Sequence, residues 1–181
     1  LLGYSADFIQ ELKFIDSSII STDSIKYQNI AKKYGLESFF LRSVKLSKSR
    51  VSDIDVIHDS LIKSERYFNN KFDIIAYLQP TSPIRNKKEF RDALNLLIQK
   101  KLDSIWSVSE VDKKFHPLKQ LYFDKYLKFY LKEGREIIAR QQLKKTLIRN
   151  GVFYIFTRKC ILGQKAILGK KSYSYIIKKE H

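Results

Sequence analysis

Asp73-Ile74-Ile75-Ala76-Tyr77-Leu78 is a nearly continuous apolar run, and Gln79-Pro80-Thr81-Ser82-Pro83-Ile84-Arg85-Asn86 breaks it at once with two prolines. A run without polar alternation reads as a strand covered on both faces, as in a parallel sheet, and is expected at the sheet's centre. Downstream, Lys87 to Lys101 repeats Phe90, Ala93, Leu94, Leu97 and Ile98 at helical spacing. Strand, loop and helix in that order form the unit of a layered α/β domain. Ligands of such sheets bind beyond the carboxyl ends of the strands, so the loop is the first place to look for chemistry. It offers an amide that both donates and accepts, two hydroxyls and a guanidinium, on backbone stiffened by Pro80 and Pro83. Two readings stand open. The loop is a cradle for a polar ligand, or it is a helix entry in which Thr81 or Ser82 is the cap and Arg85 is solvated.

On either side the pattern alternates. Phe14 to Ser21 predicts a short strand, and Ser24 to Tyr34 a helix with Ile25, Ile30, Ala31 and Tyr34 on one face, stopped by Gly35. Glu37 to Leu41 predicts a second strand. Asp53 to Phe68 reads as a helix with Ile54, Ile57, Leu61 and Phe68 inward, opened by a Ser52/Asp55 capping box. Asp103 to Glu110 returns as a strand, giving β-α-β-α-β-α-β with right-handed crossovers. Leu118 to Phe123 and Tyr126 to Leu131, separated by Asp124-Lys125, look like a hairpin whose Tyr and Phe need cover from the domain itself or from a second subunit. After Asn150-Gly151 come a buried strand over Val152 to Phe156, a short helix near Arg158 to Leu162 and a last strand around Tyr173 to Ile177.

Composition narrows the classes. A length of 181 residues suggests one domain, and 44% hydrophobic residues can bury a core, which excludes global disorder. No apolar run is long enough for a membrane span and no signal peptide opens the chain, so a soluble protein is expected. With Cys160 as the single cysteine, an internal disulfide, a multi-cysteine metal site and a redox pair are excluded, and a reducing cytoplasm fits. The absence of Met, the start residue included, leads us to expect a sequence truncated at both ends. The excess of 35 basic over 19 acidic residues, +16, attracts anions in general. Its pairs, such as Lys32-Lys33 and Lys144-Lys145, are scattered, and no dedicated nucleic-acid arm is visible. His58, His116 and His181 lack metal-ligand spacing, Cys160 reads as packing rather than nucleophile, and Asp53 and Asp55 read as dipole-stabilising carboxylates.

The stretch LQPTSPIR, placed after DIIAYL, resembles the LQPTSPLR signature of the acylneuraminate cytidylyltransferases, the CMP-sialic acid synthetase family. Ile19-Ile20-Ser21-Thr22-Asp23 resembles that family's IVSTD, and Ile30 to Gly35 its following helix. Phe40-Leu41-Arg42 is similar to FLRP, and Ser52 to Ile57 to SSIDVI. Arg140-Gln141-Gln142 and Arg149 to Ile155 resemble RRQ and RPNGAIYI. The match spans essentially all 181 residues in one order. It implies a three-layer α/β/α, Rossmann-like nucleotide-diphospho-sugar transferase fold with a mainly parallel sheet, and a dimerisation insertion at about 112 to 140.

The activity implied is attack of a nonulosonic (sialic-type) acid on CTP with Mg²⁺, giving a CMP-sugar and pyrophosphate. The setting implied is a cytoplasmic homodimer serving lipopolysaccharide or capsule synthesis. The resemblance puts Arg42 near the cytosine, Ser52 near the nucleotide, and Thr81 and Ser82 in the loop facing the substrates. Gln79 becomes the sugar-binding residue, and Arg140 the charge that offsets the sugar carboxylate. Asn150, Tyr154 and Tyr173 would line the sugar pocket, although a turn residue and core aromatics explain them as well. Departures matter too. The family's PARGGSKG-type phosphate loop and its catalytic groups are absent, and the SIDID aspartates that hold Mg²⁺ would lie beyond His181. Arg50 replaces a frequent Thr, and Arg149-Asn150 lacks the proline of RPNG. The chain alone is therefore expected to be inactive or severely impaired. Two rival functions are a non-catalytic nucleotide- or sugar-binding homologue and a basic nucleic-acid binder.

Overall fold

Leu147–Thr157, eleven residues without a proline, form the longest strand, β5, of the computed structural model, which describes residues 1–177. It lies in a four-stranded sheet of order β1-β5-β2-β6 with β1 (Ile74–Tyr77), β2 (Ser104–Glu110) and β6 (Ser172–Ile176). A separate hairpin pairs β3 (Leu121–Asp124) with β4 (Tyr126–Phe129). The helices are α1 (Leu2–Gln10), α2 (Ile25–Lys33), α3 (Asp53–Tyr67), α4 (Lys87–Gln99) and α5 (Arg158–Leu162). Contacts divide the described residues into two compact units, Leu1–Ser107 with Gly151–Tyr175, and Val108–Asn150 with Ile176 and Ile177.

In the first unit β5 alternates as a half-buried strand should, with neighbours pointing to opposite faces. Tyr154 and Phe156 cluster with Ile57 and Leu61 of α3 and with Cys160 and Ile161 of α5. Phe153 meets Phe90 of α4 edge-on at 5.4 Å, and Phe90 meets Phe8 of α1 in the same way at 5.7 Å. Helices thus cover both faces, the three-layer arrangement. Each of these aromatic rings contributes roughly 2–3 kcal/mol by leaving water. Cys160 is buried with its Sγ–H donating to the Ala166 carbonyl, and burial pushes its thiol pKa up to about 11, so it packs as expected.

Several expectations change. The 73–78 run is an edge strand rather than a central one: among the described residues β1 ends the strand order and pairs with β5, antiparallel from Ile74↔Thr157 to Tyr77↔Tyr154. Its apolar character comes from Ile75 and Tyr77 packing on the α3 and α5 cluster, while Ala76 is exposed. The sheet is mixed instead of mainly parallel. β5 also opposes β2, since Thr157 N–H donates to Asp103 O and Ser107 Oγ donates to Phe153 O. β6 follows β2 in the same sense, from Lys171 bonded to Asp103 to Ile177 bonded to Val108. The two early strands shrink to one parallel bridge, Ile19↔Glu37, closed by Ile20 N–H to Glu37 O at 3.0 Å and Glu37 N–H to Ser18 O at 2.8 Å. Asp16, Ser17 and Ser18 interrupt the apolar pattern there, and the hydroxyls of Ser17, Ser21 and Ser38 are buried without a partner. Ser52 is the N-cap of α3 as expected, its Oγ accepting Asp55 N–H at 3.4 Å, but the second half of the expected box differs: Asp55 Oδ2 accepts from the Ser52 hydroxyl at 2.6 Å.

In the second unit the hairpin register runs from Leu121↔Phe129 to Asp124↔Tyr126, with Lys125 turning at φ 55°. Gly134 allows the backbone to pass against the Leu118 carbonyl and the Phe129 ring, where a Cβ would collide. Phe123, Tyr126, Leu127 and Tyr130 are exposed.

One ion pair ties α3 to α5. Arg158 donates to both oxygens of Glu65, at 2.6 and 3.0 Å, and Phe72 N–H donates to the first at 3.3 Å. The hydrogen bond from Arg158 holds the Glu65 carboxyl below the usual glutamate range. A depressed folded-state pKa contributes stability above the unfolded value, and this is lost as pH falls through the folded one. Glu65→Gln is therefore expected to lower the melting temperature at pH 7, and the gap from wild type to shrink on acidification below about pH 4.3. Thermal melts across pH check this.

Candidate active site

The loop that follows β1 is held in shape by its last residue. Arg85 Nη2 donates to the Gln79 carbonyl at 2.6 Å, Nε to the Val152 carbonyl of β5 at 2.7 Å, and Nη1 to Ser5 Oγ of α1 at 2.9 Å. A planar fork of fixed donors suits acceptors in three directions better than a lysine would. Half-burial lowers the guanidinium pKa to about 10, which leaves it charged at neutral pH. The Gln79 carbonyl also takes Ser82 N–H at 3.1 Å, closing the turn that Pro80 and Pro83 stiffen. Arg85 is thus an internal clamp and not a solvated residue. Nor does Thr81 or Ser82 cap α4: Asn86 does so, accepting Lys88 N–H at 2.8 Å and Glu89 N–H at 3.3 Å.

Gly151 faces the loop at φ +74°, where side chains other than glycine are strained. A Cβ there would stand 2.8 Å from Gln79 Oε1 and 2.9 Å from Ser82 Oγ. The two side chains therefore converge on one point of backbone. Beneath them Tyr77 stacks on Tyr154 with ring centres 6.0 Å apart, and Trp106 meets Tyr154 edge-on at 5.1 Å. Tyr77 Oη lies 3.4 Å from Asp53 Oδ1 at the start of α3 and is hydrogen-bonded to the Gln79 side chain. Burial pushes the Tyr77 hydroxyl pKa up, so it stays protonated at neutral pH.

The other residues singled out from sequence lie as follows. Thr81 is exposed on the loop. Arg42 donates through Nε to Ser47 Oγ at 3.2 Å and lies 3.9 Å from Asp23, with its backbone N–H on Thr22 O. Ser52 caps α3 next to Asp53. Tyr154 is buried in the core beneath Tyr77, and Tyr173 is exposed, with Lys100 Nζ 4.8 Å from its ring centre. In the second unit Arg140 lies 3.6 Å from Asp112, and Asn150 donates to Ser109 Oγ at 3.1 Å. The structure therefore brings together Gln79, Ser82 and, through Tyr77, Tyr154. Sequence reasoning missed Tyr77, Asp53 and Gly151 as a group. Asn150-Gly151 was the available signal, and it reads equally as a turn or as the asparagine of the family's NGAIYI strand.

The residues described contain no group of three or more His, Cys, Asp or Glu able to hold a metal ion, and no helix long and apolar enough to cross a membrane.

Comparison with known proteins places this geometry in a class. The cytidylyltransferase family model matches residues 1–178. The chain belongs to the cytidylyltransferase family. It is 28% identical over 177 residues to post-translational flagellin modification protein B of Campylobacter coli, covering 98% of this chain and 74% of that protein. It is 27% identical over 180 residues to the CMP-N,N'-diacetyllegionaminic acid synthase of Campylobacter jejuni, again covering 98% and 74%. A solved CMP:2-keto-3-deoxy-manno-octonic acid synthetase complexed with CTP superposes with a TM-score of 0.68 at 11% identity, over 98% of this chain and 79% of that one, a likeness of fold.

The clamp and the glycine define two substitutions. Arg85→Ala leaves the Gln79 and Val152 carbonyls and Ser5 Oγ without their donor. It is expected to cost about 2–4 kcal/mol in chemical denaturation, with Arg85→Lys recovering only part. Gly151→Ala is expected to impair ligand binding more than stability, read by titration calorimetry beside a melting curve.

Proposed function

We propose that the intact protein to which this chain belongs carries out nucleotidyl transfer to an acidic sugar. The anomeric hydroxyl of a nonulosonic acid attacks the α-phosphorus of CTP and gives up its proton to solvent, a C–O–P linkage forms, and pyrophosphate leaves with the electron pair of the broken P–O bond. One observation carries the reading: in a chain of this family, Gln79 and Ser82 converge on a Cβ-free backbone at the end of a sheet strand. Polar groups fixed before the ligand arrives orient it at low entropic cost. Gln79 is assigned to the sugar, and Thr81, Ser82 and Ser52 to the nucleotide. Arg42 is assigned to the cytosine, and Arg140 to the sugar carboxylate. Asn150 and Tyr173 complete the sugar contacts, and Tyr154 supports them as packing under Tyr77. The relative that makes CMP-N,N'-diacetyllegionaminic acid supports a substrate of this type.

Mg²⁺ would neutralise triphosphate charge in such a reaction. The described residues offer no cluster for it, so none of the steps assigned to them runs through a metal. The reaction belongs in the cytoplasm, where CTP is available. The aromatic hairpin β3-β4 is proposed as the homodimer contact, since Phe123 is 78% exposed and Leu127 66%.

Pyrophosphate release with CTP, Mg²⁺ and a panel of sialic, legionaminic and pseudaminic acids tests the activity. Release with at least one of them is expected from a protein that also carries the family's phosphate loop and aspartate segment, and release with none defeats the reading; the 181 residues alone are expected to be inactive or severely impaired. Sedimentation is expected to show a dimer that Phe123→Ser weakens while the melting temperature holds.

A further inference from the structure

We propose that Tyr77 is a positioning residue that, held by Asp53, turns the Gln79 side chain so that its carbonyl oxygen faces the ligand. This rests on the assignment of Gln79 to the sugar. The direction of each hydrogen bond follows from the chemistry of the ends. Asp53 is a carboxylate with no proton to give, so the hydroxyl 3.4 Å away donates to it. That distance is long for an O–H···O bond, so Asp53 sets the direction of the proton while the ring stack on Tyr154 helps to keep the phenol in place. With its proton directed at Asp53, Tyr77 Oη offers the Gln79 side chain only lone pairs, and the group that can fill them is the amide N–H. The two ends of a carboxamide point apart. Oε1 is accordingly the Gln79 atom nearest Gly151, 2.8 Å from the position a Cβ would take, beside Ser82 Oγ at 2.9 Å.

The backbone end of Gln79 is fixed as well, by Arg85 on its carbonyl at 2.6 Å. The carboxamide then presents Oε1, beside Ser82 Oγ, as an oriented acceptor for a ligand. Such a group selects ligands that present an O–H or an amide N–H and rejects an analogue with an acceptor at that position, because two acceptors would then face each other without a proton. Polyhydroxylated, N-acylated sugars present both kinds of donor.

The test is a double-mutant cycle with a spectroscopic readout. Tyr77→Phe keeps the ring and its stack but removes the hydroxyl, so the melting temperature should hold. It is expected to raise the KM for the acid about five- to tenfold, with kcat and the KM for CTP unchanged. In a Gln79→Ala background the same change is expected to add nothing. Independent, multiplying losses overturn the proposal. Separately, the Gln79 side-chain amide signals in an NMR spectrum are expected to move in Tyr77→Phe and in Asp53→Asn. Signals that stay put overturn the relay whatever the kinetics show. Failure of the wild-type protein to release pyrophosphate, by contrast, defeats the functional reading and leaves the NMR result to stand alone.

Discussion

The guanidinium of Arg85 is the constraint on which the site depends. The segment from Gln79 to Arg85 contains two prolines and contributes no residue to a helix or strand, so the regular hydrogen-bond ladders cannot hold it. One side chain substitutes for those ladders by bonding the start of the loop, the neighbouring strand and the first helix together. Because its acceptors include two backbone carbonyls, the clamp tolerates changes in the side chains around it. Its own charge has to stay partly buried, and that cost is offset only while the acceptors remain in place.

The layered core serves the same end. Phe153 is packed beneath Phe90 on one face of β5, and Tyr154 and Phe156 beneath α3 and α5 on the other. A strand gripped from both sides cannot shift along its length without moving rings through filled space. Gly151 and Val152 are thereby presented to the loop at a fixed height. Rigidity in the interior becomes precision at the surface, where Gln79 and Ser82 meet.

Much of the architecture was legible because helical periodicity is a strong signal. Helix α4, the N-cap at Ser52 and the hairpin around Lys125 all stand near where their residues put them. Strand order was less legible. Apolar continuity in Ile74–Tyr77 reports how the strand's faces are covered and says nothing of how many neighbours it has. The bridge at Ile19 shows the opposite failure, a segment with strand-like residues that finds too short a partner. At the site, Gln79 and Ser82 could be picked out because a motif contained them. Tyr77 and Asp53 could not, since they lie 24 positions apart and only the packing of α3 against β1 makes them neighbours. Arg85 was visible as a charge, but its partners on Ser5 and Val152 are long-range and leave no local pattern.

Trp106 is the single tryptophan of the chain, its indole N–H fixed on the Ile167 carbonyl at 2.8 Å and its ring set against Tyr154, which in turn carries Tyr77. Its emission therefore comes from one environment, two aromatic contacts away from Gln79. An optical reporter is thus built into the aromatic layer on which the cradle rests, with no dye attached.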